Sequence, residues 1–237
     1  MGGFFSQPPI AAATIAWAVV STGARAQDAA ASTADEEAAY TRVITERAER
    51  IVAQLGINDA DKARRVRDLI AGQYRGLREI HDGRDAKLAE ATRPTGDPAV
   101  AEAWTSAVGD QASLDEFALH RRFVARLSAE LTPEQLDQVK DGMTYGVVPI
   151  TYSRYLELFP NLTDVEQAVI RANLLEAREF AMDAGSSEEK HGWFRKYKGR
   201  INNYLASAGY DMKQAERDWA ARQRTNSGTP ERSPEDL

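Results

Sequence analysis

The sequence predicts an all-α protein: a single-domain bundle of about six or seven helices with one long ordered loop. Three observations carry that expectation. Apolar residues recur at three and four positions along most of the chain, the spacing of one helix face. Helix-start signatures recur as Ser/Thr followed three residues later by Glu/Gln, at Thr132 and Gln135, Thr163 and Glu166, and Ser186 and Glu189. No stretch alternates apolar and polar residues as a half-buried strand would.

Residues 1–26 stand apart. "PPIAAATIAWAVVSTGARA" is an apolar run followed by small residues and Ala24-Arg25-Ala26, the layout of a secretory signal peptide cleaved after Ala26. The run is shorter than the roughly 20 apolar residues that span a bilayer, so no stable membrane span is expected after cleavage. Residues 27–34 read as a small-residue linker and 35–223 as the helical domain. The polar, proline-containing residues 224–237 read as a disordered tail.

Within the domain, Tyr40, Val43, Ile44, Ala48, Ile51, Val52 and Leu55 mark the first helix, with Gly56 placed to end it. A second helix follows Asn58 as N-cap and carries Val66, Leu69, Ile70, Tyr74, Leu77 and His81 to about Leu88. Gly72 and Gly76 share one face, which predicts close approach of another element. After "TRPTGDP" a third helix puts Trp104, Leu114, Phe117, Ala118, Val124, Leu127 and Leu131 on a core stripe. Thr132, with Pro133 at the first helical position, opens the next. The glycines, prolines and tyrosines of "DGMTYGVVPITYSRYLELFPN" predict an ordered loop over 141–152, then a short helix near 151–158. Thr163 and Ser186 open two more helices, the second ending at Gly209, and a last one begins at Asp211 and carries Trp219.

The chain has 237 residues, 43% hydrophobic and 28% charged, with a formal charge of −6. An acidic protein lacks the positive surface a sequence-independent nucleic-acid binder needs, so no nucleic acid is expected as partner. The absence of cysteine excludes a thiol nucleophile, disulfides and a Cys-based zinc site. No metal-ligand spacing or cofactor fingerprint occurs, so neither a metal nor a cofactor is expected.

The richest stretch is "HGWFRKYKGRINNYLASAGYD". Its stripe of Phe194, Tyr197, Ile201 and Leu205 belongs to a core. The remainder offers flat rings, amides and cations at helical spacing, the chemistry that grips sugars. The ligand face is assigned to Tyr145, Tyr152, His191, Trp193, Lys198, Arg200, Asn202 and Asn203, with Gly199 giving a ligand or a neighbouring helix access to the backbone. An acidic oligosaccharide or polysaccharide suits the basic residues. The alternative is a packed helix whose polar groups satisfy the 141–152 loop. A secondary cluster, His81, Asp82, Arg84 and Asp85, could serve acid–base chemistry or form part of a metal site, but a core histidine bonded to a carboxylate explains it more plainly. No catalytic residue is assigned, and a binding protein is preferred over an enzyme.

"DADKARRVRDLIAGQYRGLREIHDGRD", "LSAELTPEQLDQVKDGMTYGVVPITY" and "REFAMDAGSSEEKHGWFRKYKGRINNYLASAGYD" together resemble the secreted bacterial family called domain of unknown function 3826. The resemblance implies a periplasmic or secreted, carbohydrate-associated, sugar-binding role linked to polysaccharide utilisation. It carries no catalytic residues to this chain. Two alternatives stand beside it. "LTPEQ" is similar to the LT-x-x-Q motif of small periplasmic helical chaperones, which allows a chaperone or scaffold. An uncharacterised polysaccharide-degrading enzyme would need carboxylates converging in a cleft. The oligomeric state is left open.

Overall fold

The computed structural model describes residues 20–91 and 97–227, and most of the signal-peptide segment lies outside the described residues. The described residues form eight α-helices and no strand. They are α1 (Val20–Val52), α2 (Ala60–Ala91), α3 (Pro98–Glu130), α4 (Pro133–Met143), α5 (Val147–Leu158), α6 (Asp164–Asp183), α7 (Ser187–Ser207) and α8 (Met212–Ser227). The chain divides into two compact units, Met1–Val43 and Ile44–Leu237. The backbone is helical through 27–34, where a linker was expected, and α8 continues to Ser227, past the expected start of the tail at 224. Residues 228–237 lie outside the described residues.

Capping chemistry sets the helix starts. The side chains of Thr132, Thr163 and Ser186 accept from the backbone N–H of Gln135, Glu166 and Glu189, whose own side chains reach back to the cap. Asp59, one residue beyond the expected Asn58, accepts from the N–H groups of Asp61 and Lys62 and so caps α2. Asp97 caps α3 the same way, with Pro98 following. Gly56 and Gly209, at φ 63° and 93°, take the left-handed conformation that ends a helix.

The expected long loop over 141–152 contracts to Thr144–Gly146. Tyr145 and Gly146 both adopt positive φ, 61° and 66°, and the chain reverses into α5 within three residues. The apolar Val147 and Val148 are therefore helical; Val148 joins the core and Val147 packs against it.

The second unit is built chiefly from neighbours in sequence: α2 packs along α3, and α6 along α7. A core formed by Tyr155, Leu158, Phe159, Ile170, Leu174, Phe194, Tyr197, Ile201 and Leu205 binds α5, α6 and α7, and Ala215 of α8 joins it. Burying such side chains contributes about 1.5–3 kcal/mol each. On α3 the expected stripe is corrected. Val108, Ala112, Phe123 and Leu127 face inward, while Trp104, Leu114 and Phe117 are 49–63% exposed. Apolar residues occur on every side of α3, so periodicity alone selects no face.

Candidate functional site

A cleft of about 620 Å³ opens where α2, α3, α6 and the start of α7 meet. Each helix contributes residues one turn apart: His81 and Arg84 from α2; Ser113, Glu116, Phe117 and His120 from α3; Glu179, Phe180 and Asp183 from α6; Glu189 and Trp193 from α7. Three rings form an apolar side. Trp193 stacks on Phe180 with centroids 4.6 Å apart, while Phe180 and Phe117 remain 45% and 59% exposed.

The polar lining is ionic and closely wired. His120 lies between two carboxylates: Nδ1 is 2.8 Å from Asp183 Oδ2 and Nε2 is 3.3 Å from Glu179 Oε2. The Nδ1 contact is an ion pair by distance without an aligned hydrogen bond. Asp183 and Glu179 together push the imidazole up to about 9, so it is a cation at neutral pH. Burial pushes the Asp183 carboxyl up, opposed by His120. Burial acts on Glu179 in the same sense, but His120 and Lys140 outweigh it and hold that carboxyl at about 2. The Lys140 ammonium donates to Glu179 Oε2 at 2.7 Å.

His81 is the plainer case foreseen for it. It is 9% exposed, and Nε2 lies 3.0 Å from Glu116 Oε1. Its ring packs so closely on the α6–α7 link that a Cβ on Gly185 would stand 2.6 Å from Nδ1. Glu189 Oε2 accepts from the Gly185 and Ser186 N–H groups, and Arg84 Nε donates to Asp85. The buried Lys190 donates to Ala181 O and Met182 O at the end of α6, and burial pushes its ammonium down to about 8. Behind the cleft, Arg178 spans Asp137 and Asp141 at 2.6 and 2.8 Å, tying α6 to α4. Carboxylates thus converge here, as hydrolysis would require, yet all four are already engaged by cations or N–H groups. Among the described residues, no group of three His, Asp or Glu is arranged to hold a metal ion.

Of the eight residues assigned to a ligand face, only Trp193 lines this cleft, joined by His81 and Arg84 of the secondary cluster. Asp82 and Asp85 sit on the exposed side of α2, paired with Arg78 and Arg84. Tyr145 stacks on His191 with centroids 5.7 Å apart, so the short turn does meet α7. Tyr152 is half-buried, its hydroxyl 3.5 Å from Gln167 Oε1, and Asn202 Oδ1 accepts from Tyr155 at 2.7 Å. Arg200 covers the Tyr197 ring at 4.6 Å, and Lys198 and Asn203 are exposed. A helix turns about 100° per residue, so Lys198 lies about 140° around α7 from Trp193 and cannot share its face. The residues that sequence reasoning missed are Glu116, Phe117, His120, Glu179, Phe180, Asp183 and Glu189. Their one signal is repetition at three and four residues, in Ser113, Glu116, Phe117 and His120, and in Glu179, Phe180 and Asp183.

The fold and site define an all-α protein with a ring-lined cleft whose ionic groups are partnered within the fold. A family model described as "Protein of unknown function (DUF3826)" matches residues 41–225, and the chain belongs to that family. No curated protein matches it. Among the described residues, no helix is long and apolar enough to cross a membrane.

Proposed function

We propose that this is an exported carbohydrate-binding protein whose cleft takes an uncharged segment of an oligosaccharide, in the service of polysaccharide utilisation. One observation carries the reading: the exposed rings of Phe117 and Phe180 line the same cleft as the polar groups of Glu116, His120, Asp183 and Glu189. A pyranose presents a C–H face that packs on a ring and hydroxyls that bond to polar groups. Because His120 and Lys140 pair with Asp183 and Glu179, and Arg84 with Asp85, the cleft offers no unpaired cation to a uronic carboxylate, and a neutral segment suits it.

The test is a thermal-shift screen of the purified protein against neutral, uronic and aminated oligosaccharides. A ligand at 100 times its Kd adds about 2.7 kcal/mol of stability. The expected result is a shift with a neutral class, lost in Phe117→Ala and Phe180→Ala variants that remain helical. No shift with any neutral sugar, or one unchanged in both variants, overturns the reading. Export has its own check: protein recovered from the periplasm or medium should begin at Gln27, and an intact N-terminus there would refute cleavage.

A chaperone or scaffold is the second reading, favoured by the exposed Val100, Trp104 and Leu114 on α3. It requires that the protein suppress aggregation of an unfolded client and that Trp104→Asp abolish this.

A further inference from the structure

A second concavity, of about 600 Å³, lies on another flank of α3, between that helix and the first half of α2. Its floor is apolar, with Leu69, Leu119 and Phe123. The two glycines that predicted close approach divide the work. A Cβ on Gly76 would meet Leu119 at 3.0 Å, so that position serves helix packing. A Cβ on Gly72 would meet nothing within 4 Å, so the groove reaches the α2 backbone there.

The charges around it do not cancel. Arg65 donates through Nε and Nη2 to both oxygens of Glu130 at 2.9 and 3.0 Å. Asp68 Oδ1 accepts from Nε and Nη2 of Arg67 at 2.9 and 2.7 Å. Left over are Arg122 and Arg126, four residues apart on α3 and both lining the groove. Neither forms a hydrogen bond or ion pair with any described residue. Two like charges at that spacing repel, and here they do so in a protein with carboxylates to spare. A pair of guanidiniums one helical turn apart can meet one oxyanion from two sides, and each fork matches carboxylate or phosphate geometry.

We propose that this groove is an oxyanion-binding site, in which Arg122 and Arg126 together hold the carboxylate of a uronic sugar or a phosphate group. The apolar floor beneath them accepts the body that carries the anion. The site is separate from the ring-lined cleft and does not depend on the carbohydrate reading.

Calorimetric titration of the full protein at low ionic strength, with inorganic phosphate and separately with trigalacturonate, tests it. Both arginines are exposed, so Arg122→Gln and Arg126→Gln should leave the unfolding midpoint unchanged. Binding of at least one probe is expected, weakened roughly tenfold or more by each substitution, the size of a lost charge-assisted hydrogen bond. Arg171→Gln, which removes an exposed charge from α6 outside the groove, should leave the affinity as it was. Binding of trigalacturonate alone identifies a sugar acid, and of phosphate alone a phosphorylated ligand. The proposal fails if neither probe binds up to millimolar concentration, if the double variant binds as wild type does, or if Arg171→Gln weakens binding equally.

Discussion

His120 and Asp183 join α3 to α6 through a 2.8 Å contact in the wall of the ring-lined cleft, and Asp183 together with a second carboxylate, Glu179, holds the imidazole charged. A buried ion pair of this kind stabilises only while its proton inventory is complete.

That condition gives a pH window. The folded value of about 9 for His120 lies above the ordinary imidazole value of 6.5. Its contribution is therefore complete below pH 6.5 and lost as pH rises through 9, amounting to about 2–3 kcal/mol. Lys190 acts in the opposite sense: its folded value of about 8 lies below 10.5, so its burial cost is relieved as pH rises from 8 to 10.5. Urea denaturation should show stability falling from pH 6.5 to 8, flattening to about pH 9 and rising again toward 10.5, with His120→Gln lacking the fall. An identical pH profile in that variant would refute the assignment.

Arg178 makes a harder demand on geometry. Its side chain is 5% exposed and its fork meets Asp137 and Asp141 at once. Arg178→Met should cost about 2–3 kcal/mol by stranding two carboxylates. Arg178→Lys should recover little of it, since one ammonium cannot replace a fork spanning both. Equal unfolding midpoints for the lysine variant and wild type would contradict this.

Gly199 and Gly142 should respond with opposite signs to alanine. A Cβ on Gly199 meets nothing within 4 Å, so no neighbouring helix needs the vacancy, and the change should add roughly 1 kcal/mol of helix propensity. A Cβ on Gly142 would stand 2.8 Å from Ile51 Cγ1, and overpacking there should cost about 1–3 kcal/mol. Stabilisation in both variants would mean that α4 and α1 are not in that contact.

Asn202 is expected to matter for stability and not for ligand. Its Oδ1 accepts from the Tyr155 hydroxyl, whose pKa burial pushes up to about 12. Asn202→Ala and Tyr155→Phe should each lose about 1 kcal/mol, and the double variant should lose less than their sum. Strict additivity, or a change in oligosaccharide response with Asn202→Ala alone, would place Asn202 in the site instead.

The helices were legible because their punctuation is local. Thr132, Thr163, Ser186, Gly56 and Gly209 act on neighbours within four residues, and all five serve as read. The inward face of α7 was legible because its apolar residues form one stripe. The cleft was not, because its residues come from four helices and nothing in the sequence says that α3 faces α6. The glycines and tyrosines of 141–152 misled for a related reason. They mark a reversal, but Tyr145 and Gly146 complete it in two left-handed steps rather than a long excursion.

The pairing of α2 with α3 and of α6 with α7 bears on how the chain reaches this state. Both of the most extensive contacts join helices adjacent in sequence, so little chain entropy is spent before they are rewarded. Topologies dominated by such local contacts fold in microseconds to milliseconds. Each hairpin can nucleate by itself, which leaves the contacts between distant helices, the His120 bridge from α3 to α6 and the Arg178 tie from α6 to α4 among them, as the pairings that carry the larger loop-closure cost.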